Sequence, residues 1–439
     1  MALSGIQIYK LLPQTNCKEC GFPTCLAFAM KLAAKQVELG ACPYVSEESK
    51  KQLAESAAPP IRLVTLKADG NEVKVGNEVV MYRHEKTFYN KPGLFLRVKA
   101  SDPDLAKKVT QADAYKVNYV GMDFSLNGYA IEADGDLTAA VKTVREVTKR
   151  PLILISNDAA ALDSSLSLLA GETALIYAAS ESNYESLAEV AKKHKAVLAV
   201  KADTLDALAD LTQKIQTKGV EDMVLDLGGK NLGDWLMRST QVRRLALKNF
   251  RPLGYPVIFF AAQNGVEKEA VYAAQAIAKY AGFVVIDTFA PEMIYPLLVL
   301  RENLYTDPQK PIQVQPGVYE INSPKPESPV LVTTNFSITY FAVANEVEGS
   351  GLPAWLVVTD AEGMSVLTAW AAGKFDAERI AKAIKGFNVA DKVSKKRLVL
   401  PGHVAVLSGE VEEELPGWEV RVGPREAVDL PAFMKQALN

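Results

Sequence analysis

Four cysteines stand at Cys17, Cys20, Cys25 and Cys42, a Cys-x2-Cys-x4-Cys-x16-Cys spacing followed by Pro43, and the 439-residue chain has no other thiol. Three closely spaced thiolates and a distal one before proline suit a 4Fe-4S cluster, because a cubane needs four thiolates converging on one small volume. Structural zinc is the second reading, although zinc sites favour paired knuckles and the x4 and x16 gaps fit that poorly. A pair of disulfides is the third; in a reducing compartment, clustered thiols are metal ligands more often than crosslinks. A cluster also constrains the local fold. A straight helix from Thr24 to Leu39 would span roughly 24 Å at 1.5 Å per residue and strand Cys42 at its far end. The helix is therefore expected to stop near Ala34, with Gly40 permitting the return turn. Cys25 then falls in the first helical turn, where free N–H groups and the helix dipole favour negative charge.

Little else in the chain offers reactive groups in a recognisable pattern. The three histidines, His84, His194 and His403, fall in different expected domains and no HExxH occurs, so each reads as a surface or loop histidine. GGKNLG (Gly228–Gly233) follows a strand without the GxGxxG spacing, and AGKF (Ala372–Phe375) lacks the earlier glycine and the hydroxyl residue of a P-loop. Asp226 and Asp287 stand at strand ends, where capping explains them as readily as catalysis does. No catalytic residue is assigned. The remaining candidates are loops expected after parallel strands near the C-terminus: NFSITYF (Asn335–Phe341), TDAEGMS (Thr359–Ser365), PGH (Pro401–His403) and GPREA (Gly423–Ala427). TAWAAGKF (Thr368–Phe375) adds Ala369, Ala371, Ala372 and Gly373, small enough either for a large flat ligand to approach or for tight helix–sheet packing.

The elements that must position these residues follow from periodicity. At 439 residues and 49% apolar content, the chain exceeds what one core serves and should form two or three domains. A net charge of −3 leaves no surplus of Lys and Arg for nucleic acid or an anionic membrane. The N-terminus lacks a charged and apolar leader, and MIYPLLVL is far shorter than a membrane span, so a cytoplasmic location is expected. Residues 1–57 read as a small helical cluster domain, and 58–91 as a linker with a β-hairpin at Val73–Asn90. From 92 to 305, eight β-branched runs alternate with amphipathic helices, the signature of a TIM (βα)8 barrel. The runs begin at Leu94, Ala114, Leu152, Ala174, Ala196, Met223, Val257 and Phe283; Asp102, Asp158, Glu181, Asp203 and Asn231 are placed to cap the following helices. Residues 306–329 are rich enough in proline to read as an extended linker. Residues 330–439 hold four further strands, from Val330, Trp355, Arg397 and Trp418, in a small doubly wound α/β domain of flavodoxin or Rossmann type. Its ligand edge is the set of loops already named.

Four stretches carry a family likeness: LLPQTNCKECGFPTCLAFA, TTNFSITYF, SVLTAWAAGKF and PGHVAVLSGEVEEELPGWEVRVGPREA. With the domain order, they make the chain resemble, over essentially its whole length, the large (gamma) subunits of corrinoid iron-sulfur proteins of the reductive acetyl-CoA pathway. The resemblance implies that Cys17, Cys20, Cys25 and Cys42 bind a 4Fe-4S cluster and that the terminal domain carries a cobalamin-type corrinoid. It further implies a heterodimer with a small subunit that covers the corrinoid. Such a methyl carrier, a corrinoid-dependent methyltransferase component, takes a methyl group from methyltetrahydrofolate through a methyltransferase. It delivers the group to acetyl-CoA synthase/CO dehydrogenase, and the cluster reductively reactivates Co(II) to Co(I). The DxHxxG fingerprint, whose histidine ligates cobalt, is absent, which implies a base-off cofactor that is easier to reduce. By loop position and resemblance, Asn335, Phe336, Thr339 and Tyr340 are expected at the first ligand-edge loop. Trp370, Ala371, Ala372 and Gly373 are expected beneath the macrocycle, and Gly423 and Arg425 near its tail. The competing class is an iron-sulfur electron-transfer or scaffold subunit without its own corrinoid. Linkers at Ala57–Pro60 and Thr306–Pro329 would be hinges.

Overall fold

The computed structural model describes residues 4–33, 36–50, 53, 59–306 and 312–437. The chain forms two compact units, residues 1–115 with 125–305, and residues 116–124 with 306–439. Among the described residues, no helix is long and apolar enough to cross a membrane.

The first unit begins with two short helices, Gly5–Leu11 and Cys25–Ala33. Ser4 and Gln7 form a capping box at the first. Gly5 needs to be glycine for packing: a Cβ there would meet Met30 Sδ at 2.3 Å. Ile8, Leu12, Phe28, Ala29, Val45 and Leu53 make a small core shared with Cys25 and Cys42. The second helix ends at Ala33, and a 3-10 turn, Leu39–Ala41, brings the chain to Cys42. Ala34, the expected end, lies outside the described residues. Gly40 sits inside the turn without a left-handed φ, so the return uses helical sense and not the left-handed freedom expected of it.

The expected hairpin at Val73–Asn90 lies further upstream. β1 (Val64–Ala68) and β2 (Asn71–Val75) pair antiparallel with Ala68 opposite Asn71. The two-residue loop Asp69–Gly70 has φ of 33° and 85°, the left-handed pair that a tight hairpin requires. Val64, Leu66, Val73 and Val75 are buried with Phe95, Ile153, Leu175 and Phe283 of the barrel, so the hairpin plugs one end. That end is where the strands start: a Cβ on Gly93 or Gly282 would strike Val73 at 2.9 Å or Val75 at 3.2 Å.

The barrel strands are β3 (Gly93–Lys99), β6 (Gly128–Glu132), β7 (Leu152–Ile155), β8 (Leu175–Ala179), β9 (Val197–Lys201), β10 (Met223–Asp226), β11 (Val257–Phe260) and β12 (Ala281–Ile286). They close in the order β3-β6-β7-β8-β9-β10-β11-β12, all parallel. Between β3 and β6 the chain makes a separate antiparallel pair, β4 (Val117–Tyr119) and β5 (Met122–Phe124). The run from Ala114 is thus no barrel strand. Its Val120 packs in the second unit with Val314, Leu331 and Val358, and the second barrel strand is GYAIE instead. Among the expected caps, Asp158 accepts from Ala160 and Ala161 N–H, and Asn231 from Asp234 N–H. At the other three starts the N-caps are Asp104, Asn183 and Thr204, one or two residues after Asp102, Glu181 and Asp203.

The second unit is a five-stranded sheet: β13 (Gly317–Ile321), β14 (Val330–Thr334), β15 (Ala354–Thr359), β16 (Arg397–Leu400) and β17 (Glu419–Val422). The order is β13-β15-β14-β16-β17, with β13 antiparallel to β15 and the rest parallel. The segment 306–329 is therefore no simple linker. Gly317–Ile321 lies between its prolines, free of them, and completes a sheet edge. Because β15 and β16 flank β14 on opposite sides, the order reverses there, which creates a crevice at the carboxyl ends of the strands.

Candidate functional site

Cys25 opens its helix, and its N–H donates to Asn16 Oδ1 at 2.8 Å, while Thr24 Oγ1 accepts from Ala27 N–H at 3.1 Å. In the loop before it, every second residue from Gln14 to Lys18 is left-handed (Gln14 58°, Asn16 49°, Lys18 67°), folding the backbone tightly around Cys17. Cys25 and Cys42 are buried, Cys20 is half-buried against the same core, and Cys17 is exposed. Tyr44 donates to Glu19 Oε1 at 2.7 Å, and that bond raises the hydroxyl's pKa, with smaller contributions from Cys17 and Cys42. Among the described residues, no three His, Cys, Asp or Glu side chains gather as closely as a single metal ion requires. Cys20, Cys25 and Cys42 share one small core with Cys17 exposed outside it, and an all-thiolate donor set is of the kind that suits an iron-sulfur group.

The crevice beside β14 opens into a cavity of about 330 Å³, walled by Leu331 and Thr333 of β14, by Ile338, Thr339, Ala342 and Val343 of the helix Ser337–Ser350, and by Val399 of β16. Ser365, Val366 and Leu367 form another wall, and Pro401, His403, Gly423, Pro424 and Arg425 its rim. Two loops meet here backbone to backbone. Gly402 N–H donates to Pro424 O at 3.0 Å, and a Cβ on Gly402 would strike Gly423 O at 2.6 Å. Thr333 is 1% exposed and its Oγ1 has no hydrogen-bond partner, an arrangement that costs free energy until something polar enters. An apolar slot with one unsatisfied hydroxyl and an arginine at its rim fits a largely apolar ligand with a few polar groups.

Of the residues expected at this edge, Thr339, Gly423 and Arg425 line the cavity, while the other seven do not. Asn335 is buried at the end of β14 and spends its side chain on neighbouring loops. Phe336 is the N-cap residue of the helix Ser337–Ser350. Tyr340 packs on Tyr319, ring centroids 5.0 Å apart, and burial raises its hydroxyl's pKa. Trp370, Ala371, Ala372 and Gly373 are on the surface, where Gly373 (φ 64°) ends the helix Val366–Ala371 with open space around it. Ala369 alone is packed inside. Ala342 and Val343 are absent from the sequence reading, and Ile338 and Thr333 fall within its NFSITYF and TTNFSITYF stretches without being singled out, since an apolar helix face looks like ordinary core; a threonine within a fully buried strand was the available signal.

Among the described residues, the barrel's candidate acids and histidines pair with neighbouring side chains. Asp287 accepts from Arg97 Nε at 2.8 Å, and Asp226 accepts from Tyr177 and lies 3.7 Å from Lys201 Nζ. His84 stacks on Tyr82, and His194 sits 2.7 Å from Asp163.

The family model described as "Putative Fe-S cluster" matches residues 12–44, and the model of the CO dehydrogenase/acetyl-CoA synthase delta subunit matches residues 63–434. The chain is 42% identical to the corrinoid/iron-sulfur protein large subunit of Moorella thermoacetica over 445 residues, covering 100% of both. It is 33% identical to the acetyl-CoA decarbonylase/synthase complex subunit gamma of Archaeoglobus fulgidus, covering 99% of this chain and 98% of that one. Among solved structures, dihydropteroate synthase from Thermus thermophilus aligns with 55% of this chain and 97% of its own, at 14% identity and a TM-score of 0.35, too loosely to bear on function.

Proposed function

The chain belongs to the family of corrinoid/iron-sulfur protein large subunits and acetyl-CoA decarbonylase/synthase gamma subunits, and from that premise we propose that it is the methyl-carrying subunit of such a system. What supports the reading is, in one chain, four thiols confined to residues 17–42 and a switch-point cavity whose buried Thr333 hydroxyl lacks a polar partner. A corrinoid held there would supply cobalt able to carry a methyl group from methyltetrahydrofolate, through a methyltransferase, to acetyl-CoA synthase, and a 4Fe-4S cluster held by the four thiols would supply electrons for its reactivation.

The protein's own share is to hold, orient and exclude water. Cys17, Cys20, Cys25 and Cys42 would hold the cluster, with Cys25 at the first position of its helix, where the helix dipole favours negative charge; the N–H groups of Cys25 and Ala27 are taken by Asn16 and Thr24. Thr339, Gly423 and Arg425, joined by Thr333 and His403, surround the corrinoid's point of entry. Ile338 and Leu367 leave exposed apolar surface at the cavity (68% and 46%) that a small subunit would cover, keeping water from the reacting face.

His403, after β16, is the second unit's histidine and stands at the cavity rim, so the base-off reading requires that it would not ligate a cobalt held there. Electron paramagnetic resonance of the Co(II) state is expected to lack nitrogen coupling, and His403→Ala should leave the spectrum unchanged. Elemental analysis of anaerobically purified protein tests the main reading. About four irons and about one cobalt per chain are expected. Iron without cobalt would favour an electron-transfer or scaffold subunit.

A further inference from the structure

We infer that Asn335 is a positioning residue: it holds the turn Asp360–Gly363, and through that turn the cavity wall Ser365–Leu367, without touching the ligand. Its side-chain Oδ1 accepts from Ala361 N–H and Gly363 N–H, both at 2.9 Å. Its Nδ2 donates to Asp360 Oδ1 at 3.2 Å and to Gln313 Oε1 at 3.3 Å. A carboxamide has two donors and two acceptor positions, so these four bonds saturate it and leave nothing for a ligand. The residue is 2% exposed.

The turn it holds is one the chain would not adopt unaided. Glu362 (φ 54°) and Gly363 (φ 73°) are consecutive left-handed residues, a conformation that a glutamate adopts only at a cost. Asp360 Oδ1 accepts from Glu362 N–H at 3.0 Å, so Asp360 and Asn335 together satisfy three successive N–H groups of the turn. Ser365, Val366 and Leu367 follow directly and line the cavity. If the turn is formed only part of the time, the competent fraction falls and the apparent ligand affinity falls by the same factor.

The consequence for binding rests on reading the cavity as the corrinoid site; the effect on the turn does not. The test uses the full chain in corrinoid-free form, with hydroxocobalamin as the probe. Hydrogen exchange at residues 361–367 and the hydroxocobalamin dissociation constant are measured for wild type, Asn335→Ala, Asn335→Asp and the double variant Asn335→Asp/Asp360→Asn. Asn335→Ala should accelerate exchange and weaken binding, each by about five- to hundredfold, the range for orphaned buried hydrogen-bonding groups. Asn335→Asp should do the same by setting two carboxylates face to face. The double variant restores an amide opposite a carboxylate with their places exchanged, but residue 360 must still accept from Glu362 N–H, so rescue should be partial, both quantities falling between those of Asn335→Asp and wild type. Weakened binding with unchanged exchange in Asn335→Ala, or a folded double variant without rescue, overturns the inference. If wild type binds no hydroxocobalamin, the corrinoid reading fails, while exchange still decides the role of Asn335.

Discussion

A hydroxyl buried without a partner is the sharpest residue-level clue in the second unit. Thr333→Val keeps the shape and removes the unsatisfied group, so it should stabilise the corrinoid-free protein by about 1 kcal/mol in urea unfolding. If the ligand uses that hydroxyl, the same change should weaken hydroxocobalamin binding by about fivefold. The opposite signs separate a ligand contact from a packing defect. Cys42 makes the companion prediction at the other site. It is buried at 4% exposure beside Cys25, and Cys42→Ala should abolish reconstitution of the full cluster, read by iron content, while leaving hydroxocobalamin affinity unchanged. The two sites differed in how far the sequence disclosed them. Thiols have few other uses when crowded, so a cluster held by Cys17, Cys20, Cys25 and Cys42 could be proposed from spacing, and the matched iron-sulfur model spans the same residues. Thr339, Gly423 and Arg425 were reachable from loop position. Tyr340 and Trp370 lie outside the cavity lining, because loop position does not say which way a side chain turns, and Asn335 lies outside it because its bonds run to segments distant in sequence.

Secondary elements were legible where hydrophobic period and length agreed, and failed where a short element borrowed its partner from elsewhere. AYKVNYV carries a better strand pattern than GYAIE, yet it pairs with β5 and packs against Val314 and Leu331, whereas GYAIE is forced into the barrel between β3 and β7. The Asp69–Gly70 turn was the strongest hairpin signal in its region, and its strands are short because they only plug the barrel end. Two glycines bounding β2 separate strain from collision. Gly70 is left-handed with open space around it, so Gly70→Ala should cost about 1 kcal/mol. Gly76 is left-handed as well, and a Cβ there would stand 2.0 Å from Arg62 O and 3.1 Å from Pro256. Gly76→Ala should therefore cost about 3 kcal/mol, strain and overpacking together. Equal urea midpoints for the two variants would mean that the segment carrying Arg62 moves aside freely.

At the scale of the molecule, the division of the chain into two compact units predicts how ligand binding reads out in stability. The whole lining of the cavity, from Leu331 to Leu430, comes from the second unit, as do Trp355, Trp370 and Trp418, whereas Trp235 belongs to the barrel. A ligand that binds only the native second unit stabilises it by about 2.7 kcal/mol at a hundredfold excess over its dissociation constant. At about 2–4 °C per kcal/mol, the second unit's midpoint should rise by roughly 5–11 °C with hydroxocobalamin. Calorimetry with tryptophan fluorescence can follow it, because the shift should appear in the fluorescence transition dominated by Trp355, Trp370 and Trp418. A Trp355→Phe/Trp370→Phe/Trp418→Phe variant would report the barrel alone through Trp235, and its midpoint should not move. A ligand-induced rise confined to Trp235 would place the binding site in the barrel and remove the basis for assigning the cavity at β14.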